Sequence, residues 1–484
     1  MLLGAAVALL AFFLARVPKS YPPASNPIPP PVGKSFLGGG LDGFESPYLG
    51  HTGSWNGKGG ALGGGSKIPD LDKEQSMGLR WTFMPVYWRA LEPDGPVDLR
   101  RETPPAWQAL DAFVIAARER NLNILMQAPV VGGNAGGPPK WAGRREKGKS
   151  APADMDALVA FAGKLAIRYR PGGTLARREG WGESYGVRAW ELDNEPESYL
   201  THWEQQAGDY AEFASQAAAR IKAADQQAVI VLPGLASGKH GLAWLEAALN
   251  ASAMSGSPAF RQRAKPFSIG PAADVVSFHN YEGLDSAFSG QPRTISQVLD
   301  DVRTVFDKWE QVTPGLTYPR KQDYWHTEGN FDFLGLLSKE RRAAWRFQFF
   351  TRAFAAGIRK VIVMDASPPE QIAVRAYVAA LPNPFPMLPA SHEVEATLGR
   401  VAAFRHPDGP DPHAGQVWVI WALADTGPAR VAIPVGHLDV EIILVTGQTN
   451  RIRAADSLVR LELKGDPKMP EPVLVVDRPG SRNQ

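Results

Sequence analysis

The chain has 484 residues, 44% of them hydrophobic and 21% charged. That is enough globular material for a barrel of roughly 250 residues or more plus a smaller module. Its 52 basic and 50 acidic side chains leave a formal net charge of +2, without the basic surplus of a nucleic-acid binder. The absence of cysteine excludes disulfides, thiolate zinc sites and cysteine nucleophiles.

Met1 to Leu14 is almost wholly apolar, and Arg16 and Lys19 follow it. The run matches a signal-peptide core and is short for a transmembrane helix. No basic residue precedes it, the reverse of the usual charge bias for export. Residues 1–17 are read as a signal peptide or membrane anchor, which makes the protein exported: periplasmic, membrane-anchored or secreted. Residues 18–34 form a linker with prolines at 18, 22, 23, 27, 29, 30 and 31, a composition that favours an extended, semi-rigid spacer. Gly38, Gly40 and Gly43 match G-x-G-x-x-G, but Phe44-Glu45-Ser46-Pro47 follows where a helix should open. The dinucleotide reading fails on that context and leaves loop glycines. The basic run Arg144, Arg145, Lys147 and Lys149 is short and reads as a solvated loop.

Strand-like runs then alternate with amphipathic helices. The strand candidates are Phe36 to Gly40, Leu79 to Val86, Asn123 to Val130, Val187 to Asp193, Ala228 to Pro233, Val275 to His279, Tyr324 to Glu328 and Val361 to Met364. Thr103-Pro104 reads as an N-cap with proline at the first helical position, and Trp107, Leu110, Phe113, Val114 and Ala117 fall on one helical face. Tyr210, Phe213, Ala217 and Ile221 repeat the pattern. Eight alternating β/α units predict an α/β fold, a (β/α)8 TIM barrel over residues 35–398, with an open doubly wound sheet as the alternative. After Leu398 short apolar runs such as Gln416 to Ala424 and Leu458 to Leu463 are separated by turn residues. Residues 399–484 are therefore expected to form a C-terminal β-sandwich.

Active sites of such barrels lie at the C-terminal strand ends. The fourth candidate strand ends in Glu191-Leu192-Asp193-Asn194-Glu195-Pro196, the sixth in His279-Asn280-Tyr281, and the seventh in Trp325-His326-Thr327-Glu328. Two carboxylates at the barrel mouth are what glycoside hydrolysis requires: one protonated to assist the leaving oxygen, one ionised to attack the anomeric carbon. The competing readings are ordinary ones. Glu195 alone would be surface charge, and His279 a satisfied core histidine. Trp88, Trp141, Trp190, Trp203 and Trp325 are candidate sugar platforms or core tryptophans. His326 shares strand parity with Glu328, so it lines the barrel or packs there. Asp193 and Glu191 read as buried, hydrogen-bonded barrel residues. The nine histidines show no metal-ligand spacing, no cofactor motif is present, and no G-x-S-x-G elbow occurs.

These motifs, in this order, resemble the clan A glycoside hydrolases. Asn194-Glu195-Pro196 is similar to their strand-four motif, Glu328 to their strand-seven nucleophile, and His279-x-Tyr281 to their strand-six pattern. The stretch from Trp190 to Gly234, and the pairing of barrel with sandwich, are most similar to glycoside hydrolase family 39. The resemblance implies Glu195 as acid/base and Glu328 as nucleophile of a retaining β-glycosidase. It further implies Asn194 at the sugar 2-hydroxyl and Tyr281 reaching towards the nucleophile. His279, Trp88, Trp141, Trp325 and His326 complete the expected carbohydrate-binding residues, with no metal and no cofactor. The pattern departs from the clan in strand two, where Phe83 stands at the usual arginine position with Arg80 and Arg89 nearby. It departs again in strand eight, where Met364-Asp365-Ala366 stands in place of a tryptophan. Two alternatives remain: a non-catalytic carbohydrate-binding barrel of an exopolysaccharide system, and a family 5 type endo-β-glucanase or mannanase.

Overall fold

A computed structural model describes residues 49–52, 71–131, 137–144, 151–198, 203, 207–235, 239–249, 273–280, 294–312, 323–329, 337–363, 366–381, 387–407, 416–423, 427–466 and 469–478. Eight parallel strands close into a barrel in chain order. They are β1 (Leu49–Thr52), β2 (Trp81–Tyr87), β3 (Asn123–Val130), β4 (Ala189–Glu191), β5 (Val229–Leu235), β6 (Val275–His279), β7 (Asp323–Glu328) and β8 (Lys360–Val363). The closed barrel replaces the open-sheet alternative. The Phe36 to Gly40 candidate lies outside the described residues, and the barrel is closed by β1, which pairs with both β2 and β8. Leu49-Gly50-His51-Thr52 is too short to show a period, so only its two neighbours reveal it as a strand.

Helices flank the strands: α1 (Pro105–Glu119), α2 (Met155–Tyr169), α3 (Ala207–Ala224), α4 (Lys239–Leu249), α5 (Ile295–Val312), α6 (Lys339–Ala356) and α7 (Pro368–Ala380). In α1 the buried residues include Trp107, Leu110, Phe113, Val114 and Ala117, the face read from the 3.6-residue period. The cap differs from expectation: Pro104 is the N-cap and makes no side-chain cap bond, and Pro105 opens the helix. Proline suits that position because a first-turn N–H has no helical partner.

Inside the barrel the strand period of two sorts side chains into layers. Trp81, Phe83, Leu125, Ala189, Val229, Val231, Val275, Trp325 and Ile362 form one sealed apolar cluster. Two residues further along their strands, the inward positions turn polar: Gln127, Glu191, Ser277 and Thr327 are all buried. The next step upward is the barrel mouth.

The sandwich begins earlier than expected. β9 (Leu388–Pro389) pairs with β11 (Val401–Pro407), and β10 (Glu395–Leu398) with β13 (Ala429–Pro434). The module therefore starts at Leu388, not at residue 399, because strands this short show no pattern until a partner completes their hydrogen bonds. With β12 (Gln416–Ala422), β14 (Asp439–Leu444), β15 (Thr449–Arg453), β16 (Leu458–Leu463) and β17 (Val473–Asp477), these form sheets of three and six strands. The larger sheet shares the barrel's core: Val417, Val419, Trp421, Leu474 and Val476 join one buried cluster with Val374 and Tyr377 of α7. Gln348 Nε2 donates to Pro470 O at 2.6 Å, and Arg341 pairs with Asp466 at 3.0 Å. The sandwich thus braces α6 and α7, the helices that follow β7 and β8.

Candidate active site

After Glu191 the chain leaves β4 in a sharp turn. Asp193 and Glu195 both hold positive φ, 75° and 39°, a region costly for residues with a Cβ and found where the surroundings over-determine it. Those surroundings are visible. The Asp193 carboxylate accepts from Asn194 N at 2.8 Å, Val131 N at 3.3 Å and Trp203 Nε1 at 2.7 Å. Glu195 N donates to Gly234 O at 3.1 Å. The turn therefore presents the Glu195 side chain, about one-fifth exposed, at the mouth.

On β7, Trp325 and Thr327 point inward, and simple alternation would send Glu328 outward with His326. The ladder with β6 prevents this. Phe278 pairs with His326 but His279 pairs with Glu328, a register shift of one residue. Such a bulge re-aims the side chain that follows it, and Glu328 joins the mouth. Glu195, His279 and Glu328 each place one polar side-chain atom within 4.8 Å of the others. His279 Nδ1 lies 2.8 Å from Glu195 Oε1.

The His279 ring is buried, and burial by itself disfavours its charged form. The carboxylates of Glu328, Glu195 and Glu191 outweigh that cost and raise its pKa to about 9. At neutral pH it is an imidazolium that donates Nδ1–H to Glu195. Gly234 makes room for the ring: a Cβ there would lie 1.9 Å from His279 Nε2.

Glu191 lies directly beneath. Its Oε1 accepts from Gly234 N at 2.9 Å, Ser277 Oγ at 2.8 Å and Thr327 Oγ1 at 2.9 Å, and its Oε2 accepts from Gln127 Nε2 at 3.3 Å. This one carboxyl, itself on β4, ties together β3, β5, β6 and β7. Burial raises its pKa, opposed by the nearby charge on His279. Gln127 Nε2 also donates to Asn194 Oδ1 at 3.0 Å. Tyr87, at the end of β2, is pushed up to about 12 by burial and by the charges of Glu328 and Asp193, so it faces the site as a neutral phenol. Arg80 precedes β2 at the opposite rim of the barrel, and Arg89 is exposed.

The structure brings Asn194, Glu195, His279 and Glu328 together. Tyr281 and the segment 364–365 lie outside the described residues. Three expected binding residues are corrected. Trp88 is fully buried, donates to Glu92 Oε2 at 3.0 Å and stacks on Phe161. Trp325 lies in the sealed barrel interior, edge-on to Trp81 at 5.7 Å. His326 packs outward between Phe278 and Phe349 of α6, and burial with the His279 charge lowers its pKa to about 3. Trp325 fills a barrel layer, while Trp88 and His326 fill the packing between strands and helices, which residue type alone does not reveal. Trp203 is likewise buried against Asp193. Trp141, in the segment after β3, is partly buried, with Nε1 donating to Glu92 O at 2.8 Å. Sequence reading overlooked Gln127, Ser277 and Thr327. Their signal was a polar residue at an inward position of an otherwise apolar strand end.

No family model matches the chain, and no curated protein sequence matches it. Solved structures do. A glycoside hydrolase family 39 β-xylosidase from Caulobacter crescentus is 16% identical, covering 89% of this chain and 96% of its own, with a TM-score of 0.53. A family 39 enzyme from Xanthomonas axonopodis pv. citri is 14% identical over 89% and 94%, with a TM-score of 0.51. A family 51 α-L-arabinofuranosidase from Bifidobacterium longum is 11% identical over 89% and 95%, with a TM-score of 0.55. At such identities the shared property is the fold, a barrel with a C-terminal β domain.

Proposed function

We propose that this chain is a retaining glycoside hydrolase that cleaves β-glycosidic bonds of a polysaccharide or oligosaccharide. The observation that carries the reading is that one carboxyl oxygen of Glu195 and one of Glu328 lie within 4.8 Å of each other at the barrel mouth. Retaining enzymes hold their carboxyls roughly 5–5.5 Å apart, and inverting enzymes need about 6.5–9.5 Å to admit a water. Glu328 attacks the anomeric carbon as the glycosidic C–O bond breaks, and Glu195 protonates the departing oxygen. Glu195 then takes a proton from water, whose oxygen displaces Glu328 and restores the starting configuration. His279 Nδ1 lies 2.8 Å from Glu195 Oε1 and holds that carboxyl in place at the mouth. Asn194 and Tyr281 orient the sugar and the nucleophile, and the partly buried Trp141 offers an aromatic edge to the ligand.

The reading is tested with an activated aryl β-glycoside, a natural oligosaccharide and two variants. Glu328→Gln should abolish turnover of both. Glu195→Gln should slow the natural substrate by roughly 10²–10⁴-fold while sparing the first step on the activated one, and azide should then yield a β-glycosyl azide. Equal losses on both substrates, or an α-configured azide, would refute the assignment. The apolar residues 1–17 and the proline-rich 18–34 lie outside the described residues. They support export or membrane attachment, checked by fractionating cells that make the full chain; soluble cytoplasmic protein with an intact N-terminus would reject it. Among the described residues no helix is long and apolar enough to cross a membrane.

A further inference from the structure

We propose that Glu191, acting through Gln127, decides which end of the Asn194 side chain is offered to the ligand. The proposal deepens the glycosidase reading and rests on it for the identity of the ligand. An amide has a donor end and an acceptor end of nearly equal size, so only its neighbours choose between them. Here the choice begins at the Glu191 carboxyl, whose Oε1 is fixed by the Gly234 N–H, which can only donate. Gly234 N and Thr327 Oγ1 donate to Glu191 Oε1, and Ser277 Oγ lies 2.8 Å from it, with its one proton shared between that oxygen and Leu232 O at 2.6 Å. Oε2 meets Gln127 and obliges it to turn its NH2 group that way. The second hydrogen of that NH2 goes to Asn194 Oδ1. Asn194 must then turn its own NH2 away from Gln127. It follows Asp193 and precedes Glu195 in the turn at the mouth, so the site presents two N–H donors beside Glu195. The matching ligand group is an oxygen acceptor, such as a sugar hydroxyl. Glu191 is a positioning residue: it touches no ligand, and it sets the polarity of a residue that does.

Glu191→Gln reverses the chain. The new amide keeps its oxygen on Gly234, Ser277 and Thr327 and turns NH2 towards Gln127. Gln127 must answer with its oxygen, and Asn194 must then turn its NH2 inward and its oxygen to the ligand. Neutron diffraction on the wild type and Glu191→Gln locates the amide deuterons. The expected result is inversion of both Gln127 and Asn194; unchanged amides overturn the proposal. Kinetics supply the second arm, using an aryl β-glycoside and its 2-deoxy counterpart. The wild type should prefer the hydroxylated substrate by about tenfold or more in kcat/KM. Glu191→Gln and Asn194→Ala should each lose most of that preference, and the double variant should lose no more than either. A uniform fall on both substrates with the preference intact would mark Glu191 as merely structural. Gln127→Met, which removes the relay without touching the buried carboxyl, should also erase the preference. A wild type inactive on every glycoside would sink the glycosidase reading, while the neutron maps would still decide the amide orientation.

Discussion

Replacing His279 by asparagine removes the cation between the carboxylates, and the consequence depends on pH. The ring's pKa moves from 6.5 to about 9. At 1.36 kcal/mol per pH unit, that rise of about 2.5 corresponds to about 3 kcal/mol. Because the folded-state pKa is raised, the contribution is fully present below pH 6.5 and is lost as pH climbs through 9. The charges responsible come from two strands, Glu195 and Glu191 on or just after β4 and Glu328 on β7, and they act on His279 at the end of β6. Urea denaturation of the wild type and His279→Asn at pH 6 and pH 9.5 reads the difference directly. The stability gap should be about 3 kcal/mol smaller at pH 9.5 than at pH 6. A gap of the same size at both values would mean that the ring is neutral throughout, and the charged contact between His279 and Glu195 would fall with it.

His326 titrates in the opposite window. Its pKa is lowered to about 3, so folded-state stability is lost as pH falls below 6.5. His326→Phe should cut the difference in unfolding free energy between pH 7 and pH 4.5 by about 2.5 kcal/mol. Gly234→Ala puts a methyl 1.9 Å from His279 Nε2; the ring must move off Glu195, and the pH-dependent term assigned to His279 should shrink in the same urea experiment. Trp325→Phe should lower stability by about 1–2 kcal/mol with KM unchanged, since the ring sits in the sealed barrel interior. A raised KM would return it to the sugar-binding surface.

Local rules were enough to read much of this protein. Periodicity marked seven of the barrel strands and the buried faces of α1 and α3, because burial repeats at the step of the element itself. Asn194-Glu195, His279 and Glu328 were legible because chemistry-bearing residues stood at the C-terminal ends of apolar runs. What depended on neighbours could not be read this way. β1, β9 and β10 are too short to carry a period and exist only through their partners. Trp88, Trp325 and His326 have the residue types of a binding surface, and only packing assigned them to the interior. Glu328 is the sharpest case: alternation from Trp325 sends it outward. A one-residue shift against β6 turns it to the mouth, because hydrogen-bond register belongs to a pair of strands and neither strand encodes it alone.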